Sequence, residues 1–305
     1  MLKRTTLFYV VGFVLLWNSG FIGAEYGLPY TGPFTLLFWR YLALTVVIFF
    51  YLLLKNRFRW VGWKTALPNM LVGILSHGVW LSCVLLALEH KVPAGIVALV
   101  VALQPMATGA LSGYVTGERT HLYQWLGLII GFIGVALPII SRITWDNNIP
   151  FYAYLIPLGA VIGITLASLI QRRMEVRKES YKLPVDLAMF YQSIATTLAL
   201  VLPAIFMENV STQWEPAFIY VMIWLVFAVS LGAYALMWLL IERINATRVA
   251  SFFYLGPPVT MLMAWVAFED MITFMDITGL AVVFMGVLLT QWKHNKILNF
   301  RKNNY

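Results

Sequence analysis

The sequence predicts an all-α membrane protein in which ten transmembrane helices form two inverted five-helix repeats. Three observations predict it: an extreme apolar composition, a one-sided distribution of basic residues, and a repeat at half the chain length. Of 305 residues, 61% are hydrophobic and 11% charged, and the mean hydropathy is +0.81. Soluble domains average about 45–50% apolar and about 25% charged residues. A water-soluble fold of this size could not hide so much apolar surface. Disorder needs low hydrophobicity and high charge, so the same values exclude it. The single cysteine, Cys83, excludes a disulfide framework and every multi-cysteine metal site.

A membrane helix needs about 20 mainly apolar residues at about 1.5 Å each. Ten stretches meet this: 5–24, 33–54, 65–88, 93–115, 121–141, 150–172, 184–206, 216–241, 246–267 and 272–292. A β-barrel would alternate apolar and polar residues in segments of about ten, and runs such as Val92 to Met106 or Ile277 to Gln291 do not. Lys3 and Arg4 precede the first stretch, but no small-x-small cleavage site follows an apolar core of 7–15 residues. The segment is expected to be a retained first helix.

The net charge of +8 does not imply nucleic acid, because the positive charge is confined to one side of the spans. With the N-terminus inside, 18 of the 21 Lys and Arg fall in inner loops. Lys91 and Arg142 fall outside, and Arg40 lies within a span. Such asymmetry is what the positive-inside rule requires. Glu25, Glu89, Asp146, Glu208, Glu215, Glu269 and Asp270 fall outside. Both termini are expected in the cytoplasm.

Sliding the chain along itself aligns it at an offset of 152 residues, giving units 1–145 and 146–305. Phe38-Trp39-Arg40 then falls on Phe190-Tyr191-Gln192, and Ala94, Val97, Ala98, Leu103 and Pro105 on Ala246, Val249, Ala250, Leu255 and Pro257. Gly127, Leu128, Phe132, Gly134 and Val135 fall on Gly279, Leu280, Phe284, Gly286 and Val287, and Glu118 matches Glu269 after a one-residue slip. Five spans per unit is an odd number, so the second unit must sit upside down. Inverted repeats are the architecture of secondary transporters, which bind substrate near the midplane between the repeats.

Trp17-Asn18-Ser19-Gly20-Phe21-Ile22-Gly23 and Phe38-Trp39-Arg40-Tyr41 resemble the start of EamA-type members of the drug/metabolite transporter superfamily. The Gln104-Pro105 helix, the Gly117-Glu118-Arg119 turn, the Gly127/Gly131/Gly134 helix and their echo in Gly256-Pro257-Pro258, Glu269 and Gly279/Gly286 extend the resemblance over the chain. It departs at Gln192, which stands where the first repeat has Arg40, and no Arg follows Glu269. The resemblance implies a 5+5 carrier of a bacterial cytoplasmic (inner) membrane, often an exporter of amino acids or other small metabolites.

Polar groups at membrane depth are costly, so each needs a reason. His77 lies near mid-depth with Trp80 one turn further along the same face. It reads as a substrate contact or proton carrier, since the ordinary His pKa is near 6.5, or as a neutral group bonded between helices. No Asp or Glu lies mid-span, so a side-chain proton carrier would be His77. Gln104-Pro105 and Tyr254, Gly256-Pro257-Pro258 occupy matching mid-depth positions. Proline breaks the amide ladder, and such backbone is tolerated at this depth only inside protein or beside a water-filled cavity. Two matched breaks mark a binding cavity or a hinge. Asn18 and Ser19 line the cavity or bond to a neighbouring helix. Arg40 snorkels outwards, pairs with Glu25, or meets an anionic substrate group. Tyr234 and Trp238, one turn apart, offer an aromatic wall, although most aromatics in such a chain face lipid.

Gly109-x3-Gly113-x3-Gly117 and Gly127-x3-Gly131 allow close helix approach, chiefly inside the bundle, which leaves a monomer or a weak homodimer. The basic segment Arg172 to Lys182 suits the anionic inner leaflet. HExxH, GxSxG, GxxxxGK[ST] and GxGxxG motifs are missing. The sequence therefore predicts no enzyme, cofactor or metal. Its partners are membrane lipids and a small-molecule substrate, without nucleic acid. The expected function is a secondary transporter that exports amino acids or related amphiphilic compounds by alternating access. Uptake or exchange of a nucleoside-like metabolite is the alternative within that class, and a membrane-embedded enzyme without a recognisable motif the alternative outside it.

Overall fold

The computed structural model describes residues 4–90, 92, 97, 100–117, 120–140, 149–176, 183–244, 246–268 and 273–291. Among these residues every regular element is helical, and the only strand-like pairing is a lone bridge between Thr31 and Thr212. In chain order the helices are α1 (Arg4–Gly27), α2 (Pro33–Leu54), α3 (Trp63–Glu89), α4 (Gln104–Thr116), α5 (Leu122–Ile140) and α6 (Phe151–Val176). They continue as α7 (Val185–Glu208), α8 (Pro216–Arg243), α9 (Ala246–Ser251), α10 (Gly256–Phe268) and α11 (Phe274–Gln291). Six are long and apolar enough to cross a membrane: α1, α2, α3, α6, α7 and α8, with shorter apolar stretches at Leu122–Leu137 and Phe274–Thr290. Their outer faces carry apolar stripes such as Leu7, Val11 and Leu15, or Leu198, Leu202 and Ile205, all exposed. Apolar stripes on the outside and backbone bonds closed within each helix are what lipid demands. The molecule is a multi-pass membrane protein.

Local sequence explains many boundaries. Proline opens α2, at Pro33, and α8, at Pro216, where its missing N–H costs nothing. Gly117 ends α4 and Asn209 ends α7, both in left-handed conformation, which glycine and asparagine tolerate. Thr273 and Asp276 start α11 reciprocally: the Thr273 amide donates to the Asp276 carboxylate at 2.7 Å, and the Asp276 amide to the Thr273 hydroxyl at 3.4 Å.

Other expectations shift. Two spans expected as plain α-helix contain π-helical stretches, Ile74–Val79 in α3 and Trp224–Ala233 in α8. A π turn inserts a residue into the helical ladder and redirects the side chains around it. In α3 the Ser76 carbonyl inside that stretch accepts the Tyr234 hydroxyl of α8 at 3.3 Å. The expected ninth span is interrupted by a 3-10 turn, Phe252–Leu255, between α9 and α10. The basic segment beginning at Arg172 is helical to Val176, and Arg172 Nη1 donates to the Ile241 carbonyl at 2.8 Å. Residues 177–182, Glu118, Arg119, Arg142, Asp146, Glu269, Asp270 and most of 93–99 lie outside the described residues.

Two helix pairs organise the bundle. α5 packs most extensively on α11, and glycines allow it. A Cβ at Gly127 would lie 2.6 Å from the Gly286 carbonyl, and one at Gly134 would lie 2.9 Å from the Gly279 carbonyl. α2 lies antiparallel to α7 and is clasped at both ends. At one end the Glu208 carboxylate accepts the Phe34 and Thr35 amides at 2.9 and 2.7 Å. At the other, Arg57 pairs with Asp186 at 2.7 Å.

Candidate functional site

Where α1, α2, α3 and α8 converge, a cavity of about 30 Å³ is lined by Trp17, Phe21, Leu37, Arg40, Trp80 and Tyr234 among others. That is the space of about one water. Its aromatic wall is continuous: Trp17 lies 5.2 Å from Trp80, 4.7 Å from Tyr234 and 5.0 Å from Phe253, ring centre to ring centre.

Behind the wall lies a buried polar cluster supplied by α2, α3, α7 and α8. His77 stacks on Tyr41 at 5.0 Å and meets the edge of Tyr234 at 4.1 Å. Its Nε2 lies 3.3 Å from Gln192 Oε1, and the Trp238 indole donates to the same oxygen at 3.1 Å. An indole N–H can only donate, so Trp238 fixes the Gln192 amide with its oxygen inward. His77 must then carry its proton on Nε2. Its Nδ1 is left as a buried lone pair without a partner, and the Gln192 Nε2 is likewise unpartnered.

Arg40, 3% exposed, sits at the edge of this cluster. Its Nε donates to Ser230 Oγ at 2.7 Å and its guanidinium lies 5.5 Å from the Tyr41 ring centre. Its Nη2 is buried without a hydrogen-bond partner. Among the described residues no carboxylate lies within ion-pairing distance of Arg40. The expected snorkelling and pairing with Glu25 are therefore not what Arg40 does. The π stretch of α8 brings Ser230 to its Nε, and the surrounding helices close over it.

Of the residues singled out in the sequence, Trp80 and Tyr234 line the cavity, and His77 and Trp238 stand directly behind it. Asn18 faces elsewhere: its amide donates to the Val14 carbonyl at 2.6 Å and its oxygen accepts from Thr260 at 3.1 Å, which ties α1 to α10. Ser19 similarly accepts from the Trp224 indole at 3.1 Å. Gln104 is buried and bonds to Thr108 of its own helix at 3.3 Å. Tyr254 is buried against Gly131, where a Cβ would lie 2.6 Å from its ring. Neither touches the cluster. Pro105 begins α4 just after a turn at 102–103, and Gly256, Pro257 and Pro258 begin α10 just after the turn at 252–255.

Tyr41, Gln192 and Ser230 escaped the sequence reading. The signal that pointed towards one of them was the repeat alignment itself, in which Gln192 replaces Arg40. Among the described residues no three metal-ligating side chains cluster.

A Bacillus subtilis protein named as an uncharacterized transporter is 24% identical over 95% of this chain and 93% of its own length. A Salmonella typhimurium protein named "Probable amino-acid metabolite efflux pump" is 22% identical over 94% of this chain and 95% of its own. A crystal structure with 18% identity superposes with a TM-score of 0.76 over the whole of both chains, which establishes a shared fold. The names are those of transporters rather than enzymes. The EamA-like transporter family matches residues 4–140 and 151–292, and the chain belongs to that family.

Proposed function

We propose that this transporter is a secondary carrier that exports amino acids or related amphiphilic metabolites across a bacterial inner membrane. In this reading, residues 1–145 and 146–305 are two inverted five-span repeats, both termini are cytoplasmic, and the repeats rock about a central site by alternating access. The observation that carries it is the composition of the site. Helices from both halves of the chain enclose one cavity, and beside it lie buried polar atoms on Arg40, His77 and Gln192 without protein partners. Buried polar groups are ordinarily satisfied, so atoms left open beside a cavity are suited to a ligand. Trp17, Trp80 and Tyr234 supply an apolar wall for the rest of it. The cavity is water-sized as it stands, so loading a metabolite requires the helices around it to part. The broken backbones before Pro105 and Pro257 offer the hinges, and His77 Nδ1 offers a site for a coupling proton. The name of the Salmonella relative favours amino-acid metabolites and the outward direction.

Counterflow in proteoliposomes loaded with amino acids, amines and nucleosides tests this. Accumulation of a labelled amino acid, recovered chemically unchanged, is the expected result. A panel-wide absence of flux from folded protein, or recovery of a converted product, overturns it.

A further inference from the structure

The Arg40 guanidinium has an unusual setting for a charge in a membrane. An isolated buried charge is strongly disfavoured unless it is paired and hydrogen-bonded. Here it has one bond to the neutral Ser230 and the face of Tyr41, while Nη2 has no partner. Arg40 is also a lining residue of the cavity. The other lining residues named above are apolar or aromatic, so the guanidinium is the charged feature that a ligand entering there would meet.

We propose that Arg40 is the docking point for the carboxylate of the transported molecule, and that the substrates are carboxylates with an apolar or aromatic body. This rests on the carrier reading and gives it a chemical class. A carboxylate accepts the Nη2–H in a charge-assisted bond and neutralises the one uncompensated charge of the cluster. The body of the molecule then lies against Trp17, Trp80 and Tyr234 once the helices part. Ser230 is a positioning residue, because it holds the Nε side of the fork and leaves Nη2 for the ligand. The repeat alignment supports the specialisation: the equivalent of Arg40 is Gln192, whose oxygen is already engaged by His77 and Trp238. In one member of the pair the acceptor oxygen is engaged by protein, while in the other a charged N–H donor is left without a partner.

The test is calorimetric titration of the purified protein with matched acids and amides: phenylalanine against phenylalaninamide, and 3-phenylpropionate against 3-phenylpropionamide. The acids are expected to bind at least about ten-fold more tightly than the amides. Arg40→Gln is expected to abolish that preference, and Arg40→Lys to keep a weakened one, because the charge remains and the planar fork is lost. The wild-type comparison and Arg40→Lys decide the matter even where Arg40→Gln fails to fold. Equal binding of acid and amide, no saturable binding of either acid, or an undiminished preference in folded Arg40→Gln overturns the proposal. Tighter binding of phenyl phosphate than of 3-phenylpropionate overturns the carboxylate assignment. Counterflow without acid preference removes this proposal and leaves the carrier standing. Acid-selective, Arg40-dependent binding without counterflow does the reverse.

Discussion

The hydroxyls of Thr45 on α2 and Thr197 on α7 lie 3.4 Å apart, and the two residues are 152 positions apart in the chain. That separation is the offset at which the two halves of the sequence align. A residue that touches its own counterpart sits on the axis relating two copies, as the inverted-repeat proposal requires. The end contacts of α2 and α7 obey the same exchange: Glu208 at the end of α7 holds the start of α2, and Asp186 at the start of α7 holds the residues after α2. Points near such an axis move least when the halves rock. In a Cys83→Ser background, Thr45→Cys with Thr197→Cys is expected to cross-link on oxidation and to retain most counterflow. Cross-linked protein with no counterflow would show that α2 and α7 separate during transport.

The α5–α11 contact gives a second prediction. A Cβ at Gly134 would lie 2.6 Å from the Val283 amide nitrogen and 2.9 Å from the Gly279 carbonyl, and backbone cannot swing aside as a side chain can. At Gly78 the nearest atom is the Thr196 methyl, 3.9 Å away. Gly134→Val is therefore expected to cost about 1–3 kcal/mol, the range for overpacking, and Gly78→Ala much less. Thermal unfolding in detergent separates them, and equal midpoints would contradict the packing described.

Glu208 is expected to act on stability through α2. Its two oxygens accept the Phe34 and Thr35 amides, so it serves as a cap delivered from another helix. A negative charge also suits a helix N-terminus. Glu208→Ala should lower stability by about 1 kcal/mol, the usual loss for a cap, and Glu208→Gln by less. A melting curve of Glu208→Ala that superposes on the wild type would dismiss the cap as incidental.

The sequence disclosed the fold more fully than the site, for a physical reason. Hydrophobic length and the placement of Lys and Arg are imposed by lipid on every span separately, so each can be read locally. The glycine pattern at 127, 131 and 134 was legible as close packing because small residues have few other uses at that spacing. His77, Trp80, Tyr234 and Trp238 stood out as polar or aromatic groups at helical spacing. Gln192 and Tyr41 did not, since their importance lies in what they touch across helices. The π stretches were invisible: residues 74–79 and 224–233 keep ordinary helical composition, and the inserted turn is set by tertiary contact. Arg40 was conspicuous, but whether it snorkels, pairs or waits for a ligand depends on helices remote in sequence. Asn18 was legible as a polar group that lines the cavity or bonds to a neighbouring helix, and it ties α1 to α10.

His77 carries the last prediction. With Trp238 fixing the Gln192 amide, the imidazole is the Nε2–H tautomer, and Nδ1 is the atom able to take a proton. In the proposed carrier, a proton taken at Nδ1 and a substrate bound in the adjoining cavity would depend on one another. His77→Gln restores a donor to Gln192 but cannot cycle a proton at neutral pH. It is expected to leave counterflow largely intact while removing acceleration by an imposed pH gradient, because counterflow needs no net proton movement. Proteoliposomes carrying His77→Gln and loaded with the same labelled substrate decide the point: flux that still responds to the gradient as in the wild type would move the proton site elsewhere.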